Sequence, residues 1–355
     1  MKDLFNINGH KLIYHIPQLK HWLDGEEAYP VYVELGIYGG CNHRCIFCAF
    51  DYLQYKPDAL KVQCLKRFIR TAAKNKVKSV LFSGEGEPLL HEDICEIVKF
   101  TKEKGIDAAI STNGVLLNQN IAKKILPDLS WIRFSINAGT KKTYALIHQA
   151  PEKDFTTVIK NLENAVTIKV KRKYKCTIGV QFLLMSQNIQ EAENIAATVK
   201  NIGADYLVVK PYCPHPMSNK KMKVDFNAKD LNRLKNDLKK ICGKDLNVII
   251  RNQYPEDGQG KKTYKRCFGF NFATHITAAG DVYPCNAFVG KRNFTYGNIC
   301  RQPFDKIWRG PRRKKVVDKI YKSLDLNKCR NSCRLDKINQ YLWELKNPVP
   351  HANFI

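Results

Sequence analysis

The sequence predicts an α/β fold: a partial parallel (β/α)6 barrel followed by a small cysteine-rich domain. Three observations predict it. From Val31 to Lys210, short apolar strands alternate with helical segments. The strands end in glycines and short polar residues, where ligands sit in such folds. The 13 cysteines fall mostly into two groups, one after the first strand and one in the C-terminal quarter. At 355 residues the chain is long enough for one large domain and a smaller one. Its 44% hydrophobic content excludes a disordered chain.

Each element has a local reason. Residues 1–30 carry no motif and are expected to pack outside the core as an N-terminal extension. Val31-Tyr32-Val33-Glu34-Leu35 alternates as a strand does and leads through Gly36, Gly39 and Gly40 to Cys41. Those glycines let the backbone turn close to a bulky group. A helix over 58–75 precedes a strand over 79–83, which ends in Gly84-Glu85-Gly86-Glu87-Pro88. A helix over 94–104 and a strand over 107–110 lead to Ser111-Thr112-Asn113-Gly114. A helix over 118–126 and a strand over 131–136 lead to Asn137-Ala138-Gly139. Ser111, Asn113, Ser135 and Asn137 are short polar side chains at strand ends; turn formation and helix capping would also place them there.

A helix over 155–167, a strand over 176–184, a helix over 189–200 and a strand over 206–210 complete the barrel, residues 31–225. Its exit runs Lys210-Pro211-Tyr212-Cys213-Pro214-His215-Pro216. Lys210, Tyr212, Cys213 and His215 thus gather where substrate should lie, and are the candidate catalytic residues. The prolines equally suit a rigid exit. Phe226, Leu231, Leu234, Leu238 and Ile241 give a helix with one apolar face and lysines opposite. It opens a linker helix and strand over 226–265.

The first cysteine group is Cys41-Asn42-His43-Arg44-Cys45-Ile46-Phe47-Cys48. Thiolates suit iron–sulfur clusters and zinc. Three of them leave a four-iron cluster with one iron open to a small molecule. A zinc loop with a distant fourth ligand is the alternative on spacing. The run, including Phe47 before the third cysteine, resembles the C-x3-C-x2-C signature of the radical SAM family. The resemblance implies that Cys41, Cys45 and Cys48 hold a [4Fe-4S] cluster whose open iron chelates S-adenosylmethionine (SAM). One electron would then cleave SAM to methionine and a 5′-deoxyadenosyl radical. It also implies that Gly86 and Glu87 match the element holding the methionine amine. Ser111, Asn113, Ser135 and Asn137 match ribose-contacting positions.

The second group is Cys267, Cys285 in Gly280-Asp281-Val282-Tyr283-Pro284-Cys285, and Cys329 with Cys333, which share a face if helical. Gly297-Asn298-Ile299 and the stretch from Phe304 to Trp308 lie between them. This resembles the SPASM extension of radical SAM enzymes in its shortened, one-cluster twitch form. The resemblance implies a second, auxiliary [4Fe-4S] cluster in residues 266–355, saturated by four thiolates. Cys300 is an alternative ligand, and a structural four-cysteine zinc site is the alternative metal centre. The chain lacks the dense later run of cysteines of the fuller form, which puts a third cluster in doubt. Cys64, Cys95, Cys176 and Cys242 read as small buried hydrophobes. Cys213 is the candidate hydrogen donor if the reaction is an epimerisation.

A net charge of +26 suits an anionic small-molecule substrate, such as a nucleotide-linked sugar, or a flavodoxin or ferredoxin electron donor. Scattered solvated lysines are the plainer account, and RNA binding has no motif behind it. The longest apolar runs are too short to span a bilayer and the N-terminus lacks a signal-peptide pattern, so the cytoplasm is expected. An odd cysteine count in a chain this long speaks against a secreted disulfide scaffold. The expected function is radical-based hydrogen abstraction from a carbohydrate or nucleotide-linked sugar, leading to dehydrogenation or epimerisation. That preference rests on the resemblance to the twitch form, whose members act on amino-sugar-like cyclitols and nucleotides, and on the want of a separate peptide-recognition domain at either end; peptide modification is the alternative. A basic, zinc-stabilised nucleic-acid-binding protein is the non-enzyme alternative, and it leaves the glycine and asparagine elements at successive strand ends without a reason.

Overall fold

A computed structural model describes residues 5–6, 10–220, 222, 225–243, 246–251, 262–330 and 333–354. Seven strands run in parallel and pair in sequence order: β1 (Tyr32–Leu35), β2 (Ser79–Phe82), β3 (Asp107–Thr112), β4 (Leu129–Ser135), β5 (Thr177–Leu184), β6 (Tyr206–Pro211) and β7 (Asn247–Ile250). β8 (Ala273–Ile276) adds in parallel to the other side of β1. β9 (Asp281–Tyr283) and β10 (Gly297–Asn298) continue that edge antiparallel. The sheet order is therefore β10-β9-β8-β1-β2-β3-β4-β5-β6-β7. Parallel neighbours need crossover connections, and the helices Val62–Lys74, Ile94–Glu103, Gln119–Ile125, Lys153–Arg172, Ala192–Ile202 and Ala228–Ile241 supply them. This is the expected α/β class.

Side chains on a strand alternate between faces. The helix-facing set, including Phe82, Ile110, Ile132, Phe134, Val180 and Val209, is fully buried and forms the core. The opposite set includes Ser111, Trp131, Arg133, Ser135 and Lys210, all half-buried. The inner face thus mixes these polar and charged side chains with buried apolar ones such as Leu81 and Val208, while the outer layer is dry. Among the described residues no helix is long and apolar enough to cross a membrane.

The structure departs from the sequence reading in four places. The segment read as a linker contributes β7, which pairs with β6; its helix packs Leu234 and Leu238 into the core, as its apolar face requires. A helix at Lys141–His148 was not expected; Thr140 caps it by accepting the Thr143 N–H. The N-terminal extension does not merely lie outside the core: Tyr29 joins it, and the extension builds a second, separate hydrophobic cluster. Leu19 and Trp22 of the helix Ile16–Leu23 pack against Phe268, Phe272 and Leu342, tying the two ends of the chain together. Cys329 and Cys333 do not share a helix: Cys329 follows a single 3-10 turn, Leu326–Lys328, and Cys333 precedes the helix Asp336–Lys346.

Candidate active site

The loop carrying Cys41, Cys45 and Cys48 leaves the carboxyl end of β1 and is pinned from three sides. From β2, the Glu87 N–H donates to the Gly40 carbonyl at 2.9 Å. This approach needs glycine at 86, because a Cβ there would lie 2.2 Å from the Tyr38 carbonyl oxygen and 2.3 Å from that of Gly40. From the unexpected helix, the His148 and Ile147 carbonyls accept the N–H groups of Arg44 and Ile46 at 3.1 and 2.9 Å. From the exit of β6, Ser218 donates to the Cys48 carbonyl at 3.3 Å, and the Asp51 carboxylate accepts the N–H groups of Asn219 and Lys220.

Burial pushes all three thiols up, Cys41 to about 12 with help from the Glu87 charge. Such thiols shed their protons only to a metal, whose charge inverts that preference. His148 donates from Nε2 to the Ile136 carbonyl at 2.7 Å, so its Nδ1 accepts at Cys45 Sγ, 3.4 Å away. His43 Nε2 lies 3.1 Å from Asp154. These two imidazoles and Cys45 bring their donor atoms within 4.8 Å of one another. Both rings have protein partners and position the loop.

The structure places the other expected cofactor residues with varied results. Phe47 sits against Ile147, Leu183, Met185 and Tyr212, edge-on to His148. Glu87 is turned into the protein. Its carboxylate accepts from the Thr112 hydroxyl at 2.6 Å, the Asn113 N–H at 2.8 Å and the Leu89 N–H at 3.0 Å. It thereby ties the ends of β2 and β3 together. Asn113 reaches back from β3 to the cysteine loop, donating to Asn42 at 2.7 Å. Asn137 is fully buried at φ 55°, and its carboxamide oxygen accepts the Leu183 N–H. That argues for a turn-holding role in place of the expected ribose contact. Ser111 and Ser135 face the interior, half-buried.

At the exit of β6, Tyr212 is buried beside Phe47. His215 is held by two backbone groups. Its Nδ1 accepts the Met217 N–H at 3.2 Å and its Nε2 faces the Asn286 carbonyl at 3.3 Å. Burial and the Arg330 charge hold its pKa down to about 4. Cys213 is half-buried, and its carbonyl accepts from Arg330 at 3.4 Å. Lys210 lies deep in the interior, where burial and the charges of Arg133, Arg251, Arg334 and Arg330 pull its ammonium well below the ordinary value.

The second cysteine group converges although its members are far apart in sequence. Burial pushes Cys267 up to about 12 and raises Cys285 well above its ordinary value, and the charges of Cys333 and Cys329 raise both. Asn339 holds this corner: its oxygen accepts the N–H groups of Phe268 and Gly269, each at 2.7 Å, and its amide nitrogen donates to Cys267 Sγ at 3.4 Å. Cys300 is not the fourth ligand. It is bonded to Cys64 across 236 residues, joining β10's exit to the helix Val62–Lys74.

Sequence reasoning missed one buried ionic group. His275 of β8 is 1% exposed and sits between Glu34 and Glu85, 3.7 and 3.6 Å from their carboxylate oxygens. These lengths make ion pairs, not short hydrogen bonds. Both carboxylates raise the His275 pKa to about 9 against its burial. Arg334, next to Cys333, pairs with Glu34 at 2.9 Å and also donates to the Tyr32 hydroxyl. The signal available was Glu34 itself, a charge at an inward position of a short apolar strand.

A model of the radical SAM superfamily matches residues 35–199, and an iron–sulfur cluster-binding domain model of the SPASM type matches 267–334. The chain belongs to the radical SAM family and carries a C-terminal SPASM domain. It is 24% identical over 301 residues to a tungsten-containing aldehyde ferredoxin oxidoreductase cofactor-modifying protein of Pyrococcus furiosus, covering 79% of this chain and 81% of that one. It is 25% identical over 290 residues to an AdoMet-dependent heme synthase of Methanosarcina barkeri, covering 76% and 79%. Streptococcus suis SuiB bound to its precursor peptide SuiA superposes with a TM-score of 0.65 at 17% identity, over 86% of this chain and 71% of that one. The cofactors are therefore a SAM-binding [4Fe-4S] cluster, SAM and auxiliary iron–sulfur chemistry. The donor sets fit: three thiols on one braced loop, and four further thiols that feel one another's charge.

Proposed function

We propose that this protein is a maturase: a radical SAM enzyme that abstracts hydrogen from a C–H bond of a peptide, rather than of the carbohydrate expected from the sequence. The observation that carries the reading is the likeness in fold to peptide-bound SuiB, which extends over 86% of this chain. Cys41, Cys45 and Cys48 hold the SAM-binding cluster, and Cys267, Cys285, Cys329 and Cys333 hold the auxiliary one. When bound, the first cluster and SAM supply a 5′-deoxyadenosyl radical. Phe47 and Tyr212 wall the site on one side, and Ser111 and Ser135 offer hydroxyls to it from β3 and β4. Four thiolates leave the auxiliary cluster no open iron, which suits electron transfer better than substrate binding. A second reading, modification of a cofactor, is favoured by the names of the Pyrococcus and Methanosarcina relatives.

The test uses fully deuterated cell extract, divided into a peptide fraction and a small-molecule fraction. Each is incubated anaerobically with reconstituted enzyme, SAM and reductant. Deuterium in 5′-deoxyadenosine from the peptide fraction supports the maturase. Deuterium from tetrapyrroles would favour the second reading, and deuterium from sugars alone would return the carbohydrate reading.

A further inference from the structure

The inner face of the barrel carries more positive charge than its carboxylates balance. Glu34 is taken by Arg334 and His275. Glu85 is taken by His275 and by the Ala278 N–H at 2.6 Å. Asp205 pairs with Lys169. Lys210, Arg133 and Arg330 have no carboxylate partner among the described residues. The Nε atoms of Arg133 and Arg330 are buried, with no hydrogen-bond partner among the described residues. A buried, unmatched guanidinium nitrogen is costly unless something completes it.

The three cations share one space. Arg133 and Lys210 both occupy inward positions, opposite Gly179 and Leu183 of the intervening β5 and so four residues apart along it, and the charge of Arg133 still acts on Lys210. The charge of Arg133 acts on Tyr32 of β1, Tyr206 of β6 and Lys210, so it reaches across the interior. Arg330 enters from the segment leading to Cys333, above Cys213. The group therefore lines the barrel interior, with Lys210 toward the carboxyl ends of the strands and Arg133 nearer their amino ends.

We propose that Lys210, Arg133 and Arg330 form a binding subsite for a carboxylate of the substrate. The proposal rests on the maturase reading, in which an acidic side chain of the peptide supplies the carboxylate. Guanidinium forks match the planar carboxylate with paired hydrogen bonds, and Lys210 adds a point charge. A bound anion would also favour the charged form of Lys210, which burial and its arginine neighbours oppose. SAM has a carboxylate of its own, so the test is run with SAM saturating.

The anaerobic holoenzyme with SAM is melted in increasing glutarate, or in inorganic phosphate, at ionic strength held constant with sodium chloride. Glutarate is expected to raise the melting temperature saturably. Lys210→Met and Arg133→Met should each weaken its apparent affinity by about tenfold or more, the loss of one charge-assisted bond. Lys171→Met, on the exposed end of the helix Lys153–Arg172, should leave it unchanged. If Lys210→Met does not fold, Lys210→Arg keeps the cation and should retain binding, while Arg133→Met carries the loss. A response identical in all proteins, a response to phosphate alone, or none would overturn the subsite. Peptide-derived deuterium transfer without glutarate binding would sink the subsite and leave the maturase. Glutarate binding with transfer from sugars alone would do the reverse.

Discussion

Replacing His275 with glutamine should cost stability in a way that depends on pH. His275 is 1% exposed and held between two carboxylates, which raise its pKa from 6.5 to about 9. That displacement is worth about 3 kcal/mol. Because the folded pKa is the higher one, the stabilisation is fully present below pH 6.5. It fades as pH rises through about 9, where the folded protein gives up the proton. The glutamine would keep the shape but not the charge, leaving Glu34 to Arg334 and Glu85 to the Ala278 N–H. Anaerobic urea unfolding of wild type and His275→Gln at pH 6, 7.5 and 9.5 measures the difference directly, since other titrations cancel between the two proteins. The gap should be about 3 kcal/mol at pH 6 and shrink to a minor part of that at pH 9.5. A gap constant with pH, or no gap at pH 6, would show that His275 is not a buried cation.

Changing Cys41, Cys45 and Cys48 together to Ala should abolish 5′-deoxyadenosine formation and remove about half of an expected total of about eight irons, read by iron assay and absorbance. Cys329→Ala should lower iron while sparing some SAM cleavage; unchanged iron would remove Cys329 from the ligand set. Gly86→Ala forces a Cβ to 2.2 Å from the Tyr38 carbonyl oxygen. We expect about 1–3 kcal/mol of destabilisation and poor reconstitution of the first cluster, and normal melting with full iron would refute the close approach. If basic residues dock an acidic electron donor, flavodoxin-driven turnover should fall steeply with salt while turnover with a small chemical reductant should not; equal salt dependence would dismiss that partner.

The cysteine spacing, the strand–helix alternation and the apolar face of the helix Ala228–Ile241 were all legible from the chain, because each is set by residues close in sequence. Spacing fixed which thiols share a loop, and periodicity fixed which face a helix buries. The exposure of a strand's second face could not be read in the same way. Ser135 and Asn137 look alike as short polar residues at one strand end. One faces the interior, and the other is fully buried with its carboxamide bonded to Leu183. Glu87 reads as a ligand for an amine, and the fold adds a second task the sequence did not show, since its carboxylate also accepts from Thr112, Asn113 and Leu89.

Partners far apart in the chain were decided by tertiary structure alone. Cys300 pairs with Cys64 and not with the auxiliary group because β10 ends beside the helix Val62–Lys74. Glu34, Glu85, His275 and Arg334 form one ionic group because β8 inserts next to β1 and the segment after Cys333 closes over both. The sequence by itself determined the chemistry of the first site, since three thiols separated by three and two residues share one short loop whatever the rest of the chain does; the four auxiliary thiols meet only through the fold. Which charges remain unmatched around Lys210 was decided by the fold, because neutralising a charge depends on distance in space, and Arg133, Lys210 and Arg330 come from β4, β6 and a C-terminal segment that only the fold brings near one another.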